Sequence, residues 1–180
     1  MTDKNIVLIG FMGTGKSTVG KILARRLGRP LVDIDRRIEE AQKKKISDIF
    51  ENEGEGAFRQ LEKDMIRGVA AVSGQVVTTG GGAVIDPENI RELRKNGLLI
   101  ALAATPETIY QRVKDSRHRP LLKSSDKMAE LRRLLELRQP MYAKADVTFH
   151  TDGKTASQVT GAILGVLEKE EEFEFGKDWF

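Results

Sequence analysis

The chain has 180 residues, a formal net charge of +3, 6% aromatic residues and no cysteine. That length suits a single hydrophobic core, so one domain over residues 1–180 is expected; without cysteine there is no disulfide framework and no Cys-ligated metal. Scattered, modest charge with few aromatics argues against a nucleic-acid partner, no stretch approaches the ~18 apolar residues of a membrane span, and the first apolar run, residues 6–9, is too short for a signal peptide, so a cytoplasmic monomer acting on small molecules is expected.

The first β-rich run, residues 5–9, leads into Gly10–Ser17, GFMGTGKS, and then into a helical pattern at 15–27 with apolar Val19, Ile22, Leu23 and Leu27. In that strand–loop–helix setting G-x-x-x-x-G-K-S is a phosphate-binding loop: its glycines let successive backbone N–H groups wrap a polyphosphate, and the helix N-terminus adds partial positive charge. Gly13, Thr14, Gly15, Lys16, Ser17 and Thr18 are the candidate nucleotide-binding residues. Lys16 is expected to reach the β- and γ-phosphates and Ser17 to offer its hydroxyl to Mg²⁺.

The second run, 31–34, carries LVDID. If it stays extended, Asp33 and Asp35, two residues apart, face one cleft at the edge of the sheet where the phosphate loop emerges; Asp35 is also placed to cap a helix at 36–44. We expect Asp33 near Mg²⁺ and an acceptor hydroxyl, with Asp35 accepting hydrogen bonds from acceptor hydroxyls. A long helix follows at 55–72, its apolar face made by Phe58, Leu61, Met65, Val69 and Val72. Arg59, beside that face, can pair with Glu62 or Glu55.

The third run, 76–79, ends in Gly80-Gly81-Gly82, which exposes bare backbone to a close-lying ligand. Thr78 and Thr79 stand where an acidic Mg²⁺-organising residue often sits, which shifts that task toward Asp33. After a helix at 87–95, a fourth run at 98–103 and a helix at 105–113 comes KDSRHRPLLKSSD, residues 114–126, a polar stretch with Pro120 that is expected to form a mobile lid over about 114–124. An arginine delivered by such a loop, Arg117 or Arg119, can stabilise charge in phosphoryl transfer. In the helix at 127–143, Arg138 falls on an apolar stripe, where a guanidinium needs an anionic partner. A fifth run at 146–150 and a helix at 155–169 precede a tail of mixed acidic and aromatic residues. His118 and His150 are isolated and carry no assignment. Five β-rich runs alternating with helices predict an α/β fold, a three-layer architecture with a five-stranded parallel sheet covered on both faces, with ligands collecting beyond the carboxyl ends of the strands.

In order along the chain, GFMGTGKS, the D-x-D of Asp33 and Asp35, FRQLE around Arg59, the glycine triplet, the RPLL of Arg119 to Leu122 and the R-x-P-x-Y of Arg138 to Tyr142 resemble the shikimate kinase family over roughly residues 4–167. The resemblance implies a P-loop fold of the nucleoside-monophosphate-kinase kind and transfer of the γ-phosphate of ATP to the 3-hydroxyl of shikimate, with Mg²⁺. By the same resemblance Lys16, Asp33 and Arg119 are catalytic, Arg59 and Arg138 clamp the substrate carboxylate, and Asp35 holds ring hydroxyls. Gly80, Gly81 and Gly82 line the pocket, Arg112 packs on adenine, and the substrate-binding region spans about 33–61. Two departures stand out: Thr78 replaces the usual Ser or Ala, and TDGKTASQV after His150 lacks the proline frequent in the family's adenine loop. A small kinase for gluconate or a nucleoside monophosphate, and a non-catalytic nucleotide switch, are the competing readings.

Overall fold

The computed structural model describes residues 3–114 and 126–175, with side chains through Lys169. Five strands form one parallel sheet: β1 (Asn5–Ile9), β2 (Leu31–Asp33), β3 (Val76–Thr78), β4 (Gly97–Ala103) and β5 (Val147–His150), in the order β2-β3-β1-β4-β5. β1, buried along its whole length, pairs with β3 on one side and β4 on the other, with Leu8 opposite Thr78 and Ile100. A strand covered on both faces reads as an unbroken apolar run, which is why NIVLI does not alternate.

Among the described residues eight α-helices cover the sheet: α1 (Lys16–Leu27), α2 (Ile34–Gln42), α3 (Ile46–Asn52), α4 (Gly54–Ala70), α5 (Pro87–Lys95), α6 (Pro106–Val113), α7 (Lys127–Tyr142) and α8 (Ala156–Phe175). On one face α1 and α8 close a core of Val19, Leu23, Val159 and Ile163 against Ile6, Leu8, Ile100 and Leu102. On the other, Ile34, Ile38, Ile49, Phe58, Ile66 and Leu93 pack on Val7, Ile9, Val77 and Leu99. Local signals set several boundaries. Gly28, with φ of 64°, ends α1 by returning its N–H to the Ala24 and Arg25 carbonyls. Asp86 and Thr105 cap α5 and α6, each followed by proline at the first position.

The expected α/β class, the five parallel strands and the covering helices are all present. Three details differ. The chain turns helical at Ile34, directly after β2, so Asp33 rather than Asp35 is the cap: its Oδ1 accepts from the Arg36 N–H at 3.1 Å. The stretch 46–52, which has too few residues to show periodicity, forms α3, and a short 3₁₀ turn occupies Ala83–Ile85. The expected lid, with Arg117 and Arg119, lies outside the described residues.

At the amino ends of the strands Asn5, 2% exposed, joins three elements. Its Nδ2 donates to the Val72 carbonyl at 2.6 Å and its Oδ1 accepts from the buried Gln75 N–H at 2.9 Å, while Gln75 Nε2 donates to the Val69 carbonyl in the last turn of α4 and to the Val72 carbonyl just beyond it. Asn5→Ala strands the Gln75 N–H without a partner, and we expect a loss of about 2 kcal/mol. An unchanged urea midpoint for this variant would remove the network from the account of stability.

Candidate active site

The pairing of β1 with β3 sets the phosphate loop beside the Gly80–Gly82 loop. Around them lies a cavity of about 1030 Å³, lined by Gly13, Gly15, Lys16, Ser17 and Thr18 on one side and by Asp33, Asp35, Phe58, Arg59, Glu62 and Gly80–Gly82 on the other. This volume sits at the upper end of the range for small-molecule sites, which leaves room for a nucleotide and an acceptor together.

In the phosphate half, Gly10, Gly13 and Gly15 take positive φ values, which bends the loop back on itself ahead of α1. Lys16 is buried and folds over the loop, its Nζ donating to the carbonyls of Gly10 at 2.7 Å and Phe11 at 3.0 Å. Thr14 turns inward, its hydroxyl on the Phe11 carbonyl at 2.8 Å, and its side chain shapes the loop instead of facing the cavity. Arg112 reaches the cavity from α6. Its Nη1 donates to the Gly13 carbonyl at 3.1 Å and the Thr151 hydroxyl at 3.0 Å, and its Nη2 donates to the Thr151 carbonyl at 2.9 Å. The guanidinium therefore straps the phosphate loop to the turn after β5. The next residue, Asp152, anchors that turn to α6 by accepting from the Thr105 N–H and hydroxyl, both at 2.9 Å.

The acceptor half is built from α2, α4 and the glycine triplet. Asp33 is held at both oxygens, Oδ1 by the Arg36 N–H and Oδ2 by the Thr78 hydroxyl at 2.9 Å, so Thr78 orients the carboxylate that lines the cavity. Asp35 sits in the first turn of α2 and still faces the same cavity, through helical spacing and not the strand alternation expected of it. Arg59 donates to Glu62 at 2.7 Å and to Glu55 at 3.0 Å, and its guanidinium carbon lies 5.3 Å from the centre of the Phe58 ring. Pairing and cavity lining are both true of this arginine. Close approach explains the glycines: a Cβ on Gly80 would stand 2.7 Å from Asp35 Oδ1, and one on Gly82 would stand 2.5 Å from Arg59 Nη2. Arg138 is buried behind Gly81, its Nη1 3.5 Å from the Gly81 carbonyl and its guanidinium over the Phe11 ring at 5.6 Å, so it is not among the cavity-lining side chains.

Three buried polar atoms here have no hydrogen-bond partner among the described residues: Asp35 Oδ1, Glu62 Oε1 and Arg138 Nε. Burial pushes the Glu62 carboxyl above its ordinary range, with the Arg59 charge pulling the other way. Burial works against the charge on Arg59, but Glu62 and Glu55 more than offset it, and its guanidinium is held above its ordinary value. Glu62, 1% exposed, thus fixes one guanidinium and stands within electrostatic reach of Asp35 and Arg138. Sequence alone offers it only as a pairing partner for Arg59; a glutamate three residues after an arginine on a core-facing helix is the signal available for more.

Among the described residues no group of three or more His, Cys, Asp or Glu side chains could hold a metal by itself. Ser17 and Asp33 both line the cavity and offer oxygen donors. That donor set fits Mg²⁺, which keeps several waters and binds through one or two protein oxygens plus phosphates, better than a cation needing an all-protein cage.

Asp35 yields a test of these electrostatics. Its pKa is raised from 3.8 to about 6, by burial first and by Asp33 second, with Lys16 and Arg59 opposing. A carboxyl that holds its proton more tightly folded than unfolded costs stability when it ionises, so the penalty is absent below about pH 4 and complete above about pH 6. Asp35→Asn is expected to stabilise the protein by on the order of 2 kcal/mol at pH 7, the gain shrinking through pH 6 and vanishing near pH 4. Urea denaturation across that range checks it, and a difference independent of pH contradicts it.

Known proteins resemble this chain over most of its length. A sequence model described as shikimate kinase matches residues 12–168. A shikimate kinase of Persephonella marina is 48% identical over 162 residues, covering 90% of this chain and 98% of that protein. One from Geobacter sulfurreducens is 50% identical over 160 residues, covering 89% and 88%. Among solved structures, the shikimate kinase of Acinetobacter baumannii in complex with shikimate superposes with a TM-score of 0.89 at 36% identity, covering 93% of this chain and 94% of that one. A gluconokinase from Sinorhizobium meliloti, at 18% identity and a TM-score of 0.56, shares the fold alone. With the match running from the phosphate loop into α8, the chain belongs to the shikimate kinase family.

Proposed function

We propose that this cavity transfers the γ-phosphoryl group of ATP to the 3-hydroxyl of shikimate, giving shikimate 3-phosphate and ADP on the route to chorismate and the aromatic amino acids. The observation that carries the reading is the union, in one cavity, of a phosphate loop with an acceptor half that offers Arg59, Asp35 and Glu62. An acid with one carboxylate and several ring hydroxyls matches that inventory of guanidinium donors and carboxylate acceptors.

In this mechanism Arg59, stiffened by Glu62 and Glu55, binds the carboxylate of shikimate from within the cavity, and Arg138, whose Nε has no partner among the described residues, reaches it from behind Gly81. Asp35 Oδ1 accepts from a ring hydroxyl. Gly80 and Gly82 let the arginine and aspartate side chains lie flat against backbone, so the acceptor is held close to the phosphate loop. Asp33 orients the 3-hydroxyl in line with the γ-phosphate. Its two bonds, from the Arg36 N–H and the Thr78 hydroxyl, fix the carboxylate in direction. Lys16 neutralises charge on the β- and γ-phosphates. Because the transferring group needs little covalent help, positioning and electrostatics do most of the work. Mg²⁺, when bound, neutralises phosphate charge, and Ser17 and Asp33 would hold it. Arg112, fixed by Thr151 and Gly13, presents its guanidinium face to adenine.

Arg119, in a lid over about 114–124 outside the described residues, is assigned to the phosphates by the family resemblance. The reading takes the chain as one kinase domain acting as a cytoplasmic monomer, with residues 33–61 as the acceptor-binding region.

A coupled ADP-release assay with shikimate, gluconate and nucleoside monophosphates tests the acceptor. Shikimate alone is expected to stimulate ADP release, and no stimulation by shikimate overturns the reading. Arg59→Ala and Arg138→Ala are each expected to raise the KM for shikimate by about tenfold to a hundredfold, the loss of a charged hydrogen bond, with the KM for ATP little changed. An unaltered shikimate KM in both variants would refute the carboxylate clamp.

A further inference from the structure

Tyr142 lies at the end of α7, one helical turn after Arg138, and both side chains reach the same atom. The Tyr142 hydroxyl donates to the Gly81 carbonyl at 2.5 Å, whereas Arg138 Nη1 stands 3.5 Å from that oxygen, at the limit of a hydrogen bond. On its other side Gly81 is pressed against the phosphate loop, where a Cβ would stand 3.2 Å from the Met12 nitrogen and 3.7 Å from the Gly10 carbonyl oxygen. The peptide between Gly81 and Gly82 is planar, so anchoring its carbonyl also fixes the direction of the Gly82 N–H. Gly82 in turn forms the floor beneath the Arg59 guanidinium.

The hydroxyl has a second consequence. Gly81 is half-buried, and without the phenol the donor left at its carbonyl among the described residues is the Arg138 guanidinium. With the short phenol bond in place the carbonyl holds Arg138 only weakly, through Nη1 at 3.5 Å, and Arg138 Nε, with no partner among the described residues, is left for an anion. Burial pushes the Tyr142 phenol up to about 12, with Arg138 opposing, so the donor persists throughout the neutral range.

We propose that Tyr142 is a positioning residue of the acceptor half: its hydroxyl locks the Gly81–Gly82 peptide and keeps Arg138 from being captured by the Gly81 carbonyl, so that acceptor affinity depends on it and nucleotide affinity does not. This rests on the acceptor reading given above. The wild-type protein, assayed alongside, separates the two: absence of shikimate turnover there counts against that reading, whereas the tyrosine assignment is judged only by the change on substitution.

The experiment is steady-state kinetics of Tyr142→Phe, Arg138→Lys and the double variant, with thermal denaturation of each. Y142F is expected to raise the KM for shikimate about five- to tenfold, as for loss of one hydrogen bond, while the KM for ATP and the melting temperature stay near wild type. Because both residues act through one carbonyl, their effects on shikimate KM in the double variant should fall short of the product of the single effects. Multiplicative effects, an equal rise in the KM for ATP, or a Y142F protein that does not fold would each make the bond merely structural and overturn the proposal.

Discussion

Parallel pairing of β1 with β3 is the constraint on which the site depends. Registering Leu8 opposite Thr78 brings the loops that leave those strands side by side, one able to wrap phosphates and the other bare enough for side chains to lie on it. β2 pairs in turn with β3, Asp33 opposite Thr78, so the carboxylate that ends β2 is held by a hydroxyl from the neighbouring strand. Three strand ends thus deliver the phosphate loop, the glycine triplet and the Asp33 carboxylate to one edge. The helices fill in the walls, α2 with Asp35, α4 with Arg59 and Glu62, and α6 with Arg112.

Among the described residues the buried charged side chains, Lys16, Glu62 and Arg138, gather around this one cavity. Asp33, Asp35, Glu55 and Glu62 stand close to Lys16, Arg59 and Arg138, and most of these groups are wholly or partly buried. Buried ions tolerate one another only when paired, and here the pairing is partial: Glu62 commits one oxygen to Arg59, while Asp35 Oδ1 and Arg138 Nε have no partner among the described residues. A fold tuned for stability alone would neutralise such groups. On the proposed function their retention follows from binding a polar, charged acceptor, since donors and acceptors fixed beforehand need not be reorganised when the substrate arrives. The trade of stability for function is local, because the cores on both faces of the sheet are otherwise apolar.

Features carried by local rules were legible in the sequence: the phosphate loop, the five strands, most helix limits, and the glycine triplet with Asp35 and Arg59 as site candidates. Each rests on periodicity, capping or backbone freedom within a few residues. What escaped depends on contacts distant in sequence. α3, seven residues long, is too short for its period to declare itself and exists because Ile49 and Phe50 have a core to enter. Asp33 looks like a free carboxylate until Thr78, 45 residues away, is seen to hold it. The choice between Asp33 and Asp35 as helix cap turned on where β2 stops, which is settled by its pairing with β3.

Sequence by itself therefore determined the chemistry available to this protein, a phosphate cradle followed by acids, arginines and glycines in a family-specific order, because residue type and short spacing fix what a group can donate, accept or wrap. Only the tertiary structure decided which of those groups act together. Burial of Glu62, the retreat of Arg138 behind Gly81 and the grip of Tyr142 on that carbonyl arise when α4 and α7 pack against the glycine loop, and distances between elements far apart in the chain are set by packing, which no local pattern encodes.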